Sequence, residues 1–375
     1  MRRAMLVFPT LLLGLACSGA APDGADAAGA SDVATAGAGA GQGTGMLSQL
    51  NLSAQSSGTE ALLQAVSPVS AAVVWVSGHG ATFARTLDGG EKWTASTVAG
   101  ADGLQFRDVA AFDTTTAYLM SSGTGELSRI YRTDDGGTTW ALQHTAEDAE
   151  AFFDCMDFWT PERGLVYGDE VDGFPFILST TDGGAHWTRV PAAGLPAALD
   201  GEGGFAASGT CLVTGENGAA WIATGNGERA RVLSTHDFGA SWTAVDAPVV
   251  GGSSAGLATV QMGAAGLGIA LGGRIGQDSV RTENVTITSD GGVTWQPGGP
   301  LAMEGPVYGS ALVPDRIGRL VVAAGPRGLV WSEDLGQTWA VGDTLSYWAV
   351  VFVGREAGWA VGPRGRITKL SVSDG

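Results

Sequence analysis

Arg85-TLDGGEKW-Thr94, Arg132-TDDGGTTW-Ala141, Ser179-TTDGGAHW-Thr188, Ser234-THDFGASW-Thr243, Ile287-TSDGGVTW-Gln296 and Trp331-SEDLGQTW-Ala340 are six copies of one pattern. Their shared aspartates, Asp88, Asp135, Asp182, Asp237, Asp290 and Asp334, are separated by 47, 47, 55, 53 and 44 residues. A period of this size marks one supersecondary unit per repeat, as in propellers and solenoids. The chemistry of the pattern explains its residues. An Asp carboxylate accepts hydrogen bonds from main-chain N–H groups of the turn that follows it. The shared glycines (Gly90, Gly137, Gly184, Gly239, Gly292 and Gly336) suit positive φ, where a Cβ would clash. The tryptophan three residues later opens the next strand and offers a large ring for packing between units. On this reading the six aspartates are turn staples rather than metal ligands or acid–base groups.

Each repeat shows strand composition ahead of its turn. In the second, Phe106-RDVAAF-Asp113, Thr116-AYLMSS-Gly123, Ser128-RIYR-Thr133 and Thr139-WALQH-Thr145 are four short runs separated by turn residues. The stretch Ser346 to Leu370 supplies three further strands and no Asp turn, and Met46-LSQLNLSAQ-Ser56 supplies a lone one. Three plus one makes a seventh unit, closed by pairing the two ends of the repeat region. Closure removes the exposed strand edges that a linear array would leave. The expected fold is all-β: a seven-bladed propeller of four-stranded antiparallel blades over residues 46–375.

Composition narrows the function. The 375 residues carry 20 Lys plus Arg against 38 Asp plus Glu, a formal charge of −18. So acidic a chain is a poor partner for phosphate backbones, which argues against nucleic acid. Three cysteines and four scattered histidines cannot build a zinc-rich or disulfide-stapled protein. No dinucleotide fingerprint or haem motif is present, so no cofactor and no metal are expected.

The first residues read as an address. Met1 to Cys17, MRRAMLVFPTLLLGLAC, has a positive start at Arg2 and Arg3 and an apolar run too short to span a bilayer as a mature helix. Ending at Cys17, it resembles a bacterial lipoprotein signal (residues 1–16), which implies acylation of Cys17 and, with Ser18 following, an outer-membrane anchor facing the periplasm. An ordinary cleaved secretory signal is the alternative. Residues 17–45, rich in Ala and Gly without apolar periodicity, read as a flexible tether.

The repeated turns resemble Asp-box, or BNR, repeats, in which the box is a structural hairpin between the two outer strands of a blade. Within that group the chain most resembles the photosystem II stability and assembly factor family and its non-photosynthetic bacterial relatives. The features that carry this are the Arg-Thr/Ser-x-Asp-Gly-Gly-x-x-Trp boxes, the count of seven, and the strand at Gly358 to Gly362. The resemblance implies a non-catalytic, monomeric scaffold that binds another protein. Sialidase-like glycosidases also carry Asp boxes, and a glycoside hydrolase or glycan-binding protein is the alternative. Their Arg-Ile-Pro signature is absent, and none of the five tyrosines has a recognisable nucleophile context.

Three sets of residues are candidates for more than architecture. Gly325-Pro-Arg327-Gly328 and Gly362-Pro-Arg364-Gly365 occupy the same loop in consecutive blades, with Arg366 nearby and Arg274 and His79 at matching places in other blades. Together they would form a basic arc on the face opposite the Asp turns, suited to carboxylate or phosphate recognition. Structural pairing of each arginine with neighbouring acids is the alternative. Asp154 and Asp157 flank an inner strand, with Asp169, Glu170 and Asp172 in the next loop. These could hold a cation or a sugar, but solvated loop charge is the favoured reading. Cys155 and Cys211 fall on inner strands of adjacent blades, where export permits a disulfide and two buried thiols are the alternative.

Overall fold

A computed structural model of the chain describes residues 48–315 and 317–374; the leader, Cys17 and the tether lie outside the described residues. Seven four-stranded sheets account for the strands, six of them joined in simple sequence order and the seventh shared between the two ends of the repeat region. Their first strands are Leu63–Pro68, Phe106–Ala111, Phe153–Thr160, Leu212–Thr214, Ala255–Met262, Gly309–Leu312 and Ala349–Gly354, and each packs beside the next until the seventh returns to the first. That closed ring is a seven-bladed propeller with the first strands innermost. The second repeat shows the local rule, with strands Phe106–Ala111, Ala117–Ser121, Arg129–Thr133 and Ala141–Thr145 in antiparallel order.

The seventh blade is built from both ends of the repeat region. Ala349–Gly354, Ala357–Gly362 and Arg366–Asp374 form its inner three strands, and Ser48–Ser56 pairs as the fourth. The ladder runs in unbroken antiparallel register from Ser48 opposite Asp374 to Ser56 opposite Arg366. Side chains from this strand also grip the first blade, where Trp93 Nε1 donates to Gln55 Oε1 at 3.1 Å. The core lies between blades, where Trp75 and Trp359 are wholly buried and apolar clusters join neighbouring sheets.

The repeat turns are stapled twice over. In the second, Thr139 N donates to Asp135 Oδ1 at 2.9 Å, while Thr133 Oγ1 donates to the same oxygen at 2.9 Å and accepts from Gly137 N at 2.9 Å. The same hydroxyl recurs as Thr86, Thr180, Thr235, Thr288 and Ser332, each buried and each bonded to its Asp. This hydroxyl residue stands two places before every aspartate, so the staple belongs to a Thr/Ser–Asp pair rather than to the carboxylate alone. Trp93 opens its outer strand, while the other five box tryptophans stand one residue before theirs. The first glycine of the pair is replaced by Phe238 and Leu335 in two turns, and both adopt φ near +60° (60° and 58°), a conformation that costs a side-chain-bearing residue about 1–2 kcal/mol.

Candidate functional site

In an antiparallel four-stranded blade, the hairpin between strands two and three lies at the end opposite the hairpin between three and four. The Asp turns occupy the latter. The face opposite therefore gathers the second-to-third hairpins, the ends of the second strands and the starts of the inner strands. It carries every residue of the expected basic arc and most of the acidic set.

Arg274 ends the second strand of the fifth blade, Arg327 tips the hairpin of the sixth, and Arg364 tips that of the seventh. Arg327 and Arg364 are exposed, and Arg364 holds a left-handed φ of 56°. No ion pair among the described residues involves Arg274, Arg327, Arg364 or Arg366. Arg327 Nε donates instead to the Asp278 carbonyl at 3.1 Å, tying the sixth blade's hairpin to a loop of the fifth. Arg366 lies over the Tyr347 ring at 5.5 Å and donates to the Ser346 carbonyl. It is a wall of the groove beneath Arg364, lined also by Ser57, Thr59, Glu60 and Leu345.

His79 departs from expectation. It points inward, with Nε2 at 2.5 Å from Gln64 Oε1, and burial, reinforced by the nearby charge of Arg107, pulls its imidazole down to about 4. It is therefore neutral at neutral pH and adds no charge to the arc.

Asp172 is exposed in the loop after the second strand, as expected of solvated charge, but the other four acidic residues lie on strands. Asp154 and Asp157 lie within the inner strand Phe153–Thr160, and Asp169 and Glu170 lie within the second strand Arg163–Val171. Asp154 is 1 % exposed. Asp157 accepts from Thr214 N at 2.6 Å and from Phe158 N at 2.8 Å, which ties the inner strands of blades three and four together. Cys155, between the two aspartates, forms a disulfide with Cys211 across the same seam. Burial pushes the carboxyls of Asp154 and Asp157 above the ordinary range. Among the described residues no His, Cys, Asp and Glu cluster has the make-up of a metal site.

What the carboxylates hold is the chain itself. The connection from blade three to blade four runs from Val190 to Leu212 and turns into the central channel. Gly204 N donates to Asp154 Oδ2 and to Asp169 Oδ1, both at 3.1 Å. Arg107 Nη1 reaches the Ala206 carbonyl at 3.3 Å, and Gln64 Nε2 reaches the carbonyls of Ala206 and Ala207 at 3.4 Å. Ser208 Oγ donates to the Tyr308 carbonyl at 2.7 Å, and Thr210 Oγ1 to Thr259 Oγ1 at 2.8 Å. With the bridge between Gly203 and Gly225, this segment touches blades one to six. Ala206, Ala207 and Ser208 are buried, so it plugs the channel. A Cβ on Gly203 or Gly204 would run into the Asp169 and Asp154 carboxylates, which is why two glycines stand there.

The plug is anchored upstream by Glu202, whose carboxylate pairs with Arg231 and accepts from Thr224 Oγ1 at 2.7 Å. On the far side of the plug a cavity of about 280 Å³ remains, lined among others by Ser67, Asp108, Phe112, Asp157, Ser208 and Thr210. Asp108 is buried there, its oxygens taken by Val109 N at 2.7 Å and Met156 N at 2.6 Å. Gln64, Arg107, Asp108, Glu202, Arg231 and the plug were not among the sequence candidates. One signal did point to them. The step from Asp182 to Asp237 is 55 residues against 47 for the two before it, and the surplus is the plugging connection.

The chain is similar in fold to YCF48. A structure titled YCF48 bound to D1 peptide superposes with a TM-score of 0.58 at 16 % identity, covering 85 % of this chain and 96 % of that one. YCF48 from Cyanidioschyzon merolae superposes with a TM-score of 0.60 at 16 % identity, covering 85 % and 98 %. The likeness to photosystem II assembly factor-like propellers expected from the repeats thus holds at the level of the fold. No protein-family model and no curated protein sequence matches the chain.

Proposed function

We propose that this chain is a non-catalytic binding propeller that assists the assembly or stability of another protein in the cell envelope, presented there as a monomer by a lipid on Cys17. The observation that carries the reading is the arc of Arg274, Arg327 and Arg364 on consecutive blades, without an acidic partner. Guanidinium groups held at hairpin tips or a strand end, without an acidic partner, are suited to a carboxylate-bearing protein surface. A YCF48 propeller of the same architecture has been solved with a bound peptide, which supports a binding role for this fold. The acidic residues fit the glycosidase alternative poorly. Asp108 and Asp157 are taken up by main-chain N–H groups. Asp154 and Asp169 both accept from Gly204 N beneath the plug, at 3.1 Å each, so the chain itself occupies the place a substrate would need.

Affinity capture of the full chain from its own envelope, with mass spectrometry of co-purifying proteins, tests this. A reproducible partner lost on combining Arg327→Glu with Arg364→Glu is the expected outcome. A partner set unchanged by that double reversal removes the arginine face from the proposal.

A further inference from the structure

Two carboxylates converge on one main-chain N–H at the channel mouth. Asp154 comes from the inner strand of the third blade and Asp169 from its second strand, and their oxygens stand at equal 3.1 Å distances from Gly204 N. Sharing one N–H as donor brings the two carboxyl groups close together. Ionised carboxylates carry no proton to donate, so two carboxyl groups this close can bond to each other only if one of them is a carboxylic acid. Two ionised carboxylates in contact repel, and in a site with little water the repulsion is strong.

The surroundings favour one retained proton. Arg107, across the channel mouth, supplies the facing positive charge, but it is half-buried and already engaged by the Gln105 side chain and the Ala206 carbonyl. His79 beside it is neutral. The other positive charge nearby, Arg231, is committed to Glu202. Glu170 faces Asp169 with a like charge, and the buried phenol of Tyr167 faces Asp154, Asp169 and Glu202. Burial first, then the neighbouring carboxylate, lifts Asp154, and burial lifts Asp169.

We infer that Asp154 and Asp169 form a one-proton latch on the plug, and that loss of the shared proton to solvent releases segment 203–208 and opens the channel to the arginine-bearing face. With the proton in place, the acid donates to the carboxylate and both accept from Gly204 N–H. Without it, two anions remain against a loop whose other ties are the main-chain pair between Gly203 and Gly225, two long hydrogen bonds from Gln64, one from Arg107 and one from Ser208 to the Tyr308 carbonyl. Five of the six residues of the segment, Gly203, Gly204, Ala206, Ala207 and Ser208, are small, so its side-chain packing rests mainly on Phe205, whose half-buried ring lies against Gly225.

The test is amide hydrogen exchange by mass spectrometry over residues 199–210, comparing the full wild-type chain with Asp154→Asn at each pH. The amide substitutes for the protonated acid, donating to Asp169 and accepting from Gly204, so the variant's latch stays shut. Taking the ratio at one pH cancels the intrinsic pH dependence of exchange. The wild-type to variant ratio is expected to be near one at about pH 5 and to rise about ten-fold or more by about pH 9, as the pair loses its proton. A ratio that stays flat over that range overturns the latch. Asp169→Asn carries the same comparison if Asp154→Asn does not fold.

Discussion

The turn face and the channel mouth use the same residue, aspartate, to opposite electrostatic effect. On the turn face the carboxylates stand in solvent, Asp334 alone being half-buried, and collect short hydrogen bonds from their own turns. Bonds from Thr139, His186, Ser241 and Thr294 hold Asp135, Asp182, Asp237 and Asp290 down at about 2. At the mouth and in the cavity behind it, burial outweighs similar bonds and pushes Asp108, Asp154, Asp157 and Asp169 up. Six copies of a solvent-exposed device stabilise the ring locally and independently. A single buried device spans several blades, so its members depend on one another.

The largest effect should follow from breaking the mouth at its most buried point. Glu202→Ala leaves Arg231 without its carboxylate in a site where the two side chains are 2 % and 10 % exposed. A buried charge orphaned in this way costs about 3–5 kcal/mol, read as a lowered Tm. Adding Arg231→Met should recover most of that loss, because no charge is then left unpaired. A double variant as unstable as the single one would mean that the pair's geometry, rather than its charge balance, holds the plug.

A smaller loss is expected on the turn face. Thr180→Val removes the donor to Asp182 Oδ1 and the acceptor for Gly184 N in one of six equivalent turns. An unsatisfied buried N–H costs about 1–3 kcal/mol, and the same substitution at Thr235 should add to it without coupling, since the two turns share no partner. Denaturant midpoints of the two single variants and the double variant check this. Strong coupling would break the contrast between independent turns and a cooperative mouth.

The subtlest expectation is in pH. Depressed carboxyls contribute stability that is fully present above the unfolded value of about 4 and is lost as pH falls through their folded values near 2. Raised carboxyls act in the opposite sense: their ionisation is disfavoured in the fold, so stability declines as pH climbs from about 4 through their folded values. Titration of ¹³C-labelled Asp carboxyls should separate two populations on either side of the ordinary value. A single population at the ordinary value would erase the distinction between the two regions.

The ring was legible because its signal is repeated. The Asp-Gly-Gly-x-x-Trp turns, four strand-like runs per unit and the unpaired run Met46 to Ser56 dictate seven blades and the closure, and the structure has both. The mouth was much less legible because it is built from what does not repeat. Asp154, Asp157 and Asp169 were noticed as charge, yet charge on a strand and charge on a loop look alike without the register that buries one of them. Arg107 and Gln64 gave no signal at all, since each is an ordinary polar residue near the start of a strand. They matter only because the surplus residues between the third and fourth turns fold back across them. His79 failed as a cation for a related reason: its position in the hairpin was right, but its side chain turns toward Gln64.

The closing ladder has a mechanical consequence. Ser48 lies opposite Asp374 at the rim that carries the Asp turns, and Ser56 lies opposite Arg366 at the other rim. Tension applied between Ser48 and Asp374 therefore pulls both strands from the same end, and the load falls on one pair at a time. Such a seam peels, where strands pulled from opposite ends would resist in shear along all their bonds together. The molecule is thus fastened by a zipper whose tab hangs on the side away from the arginines, and a pull on that tab opens the seventh blade before it disturbs the other six.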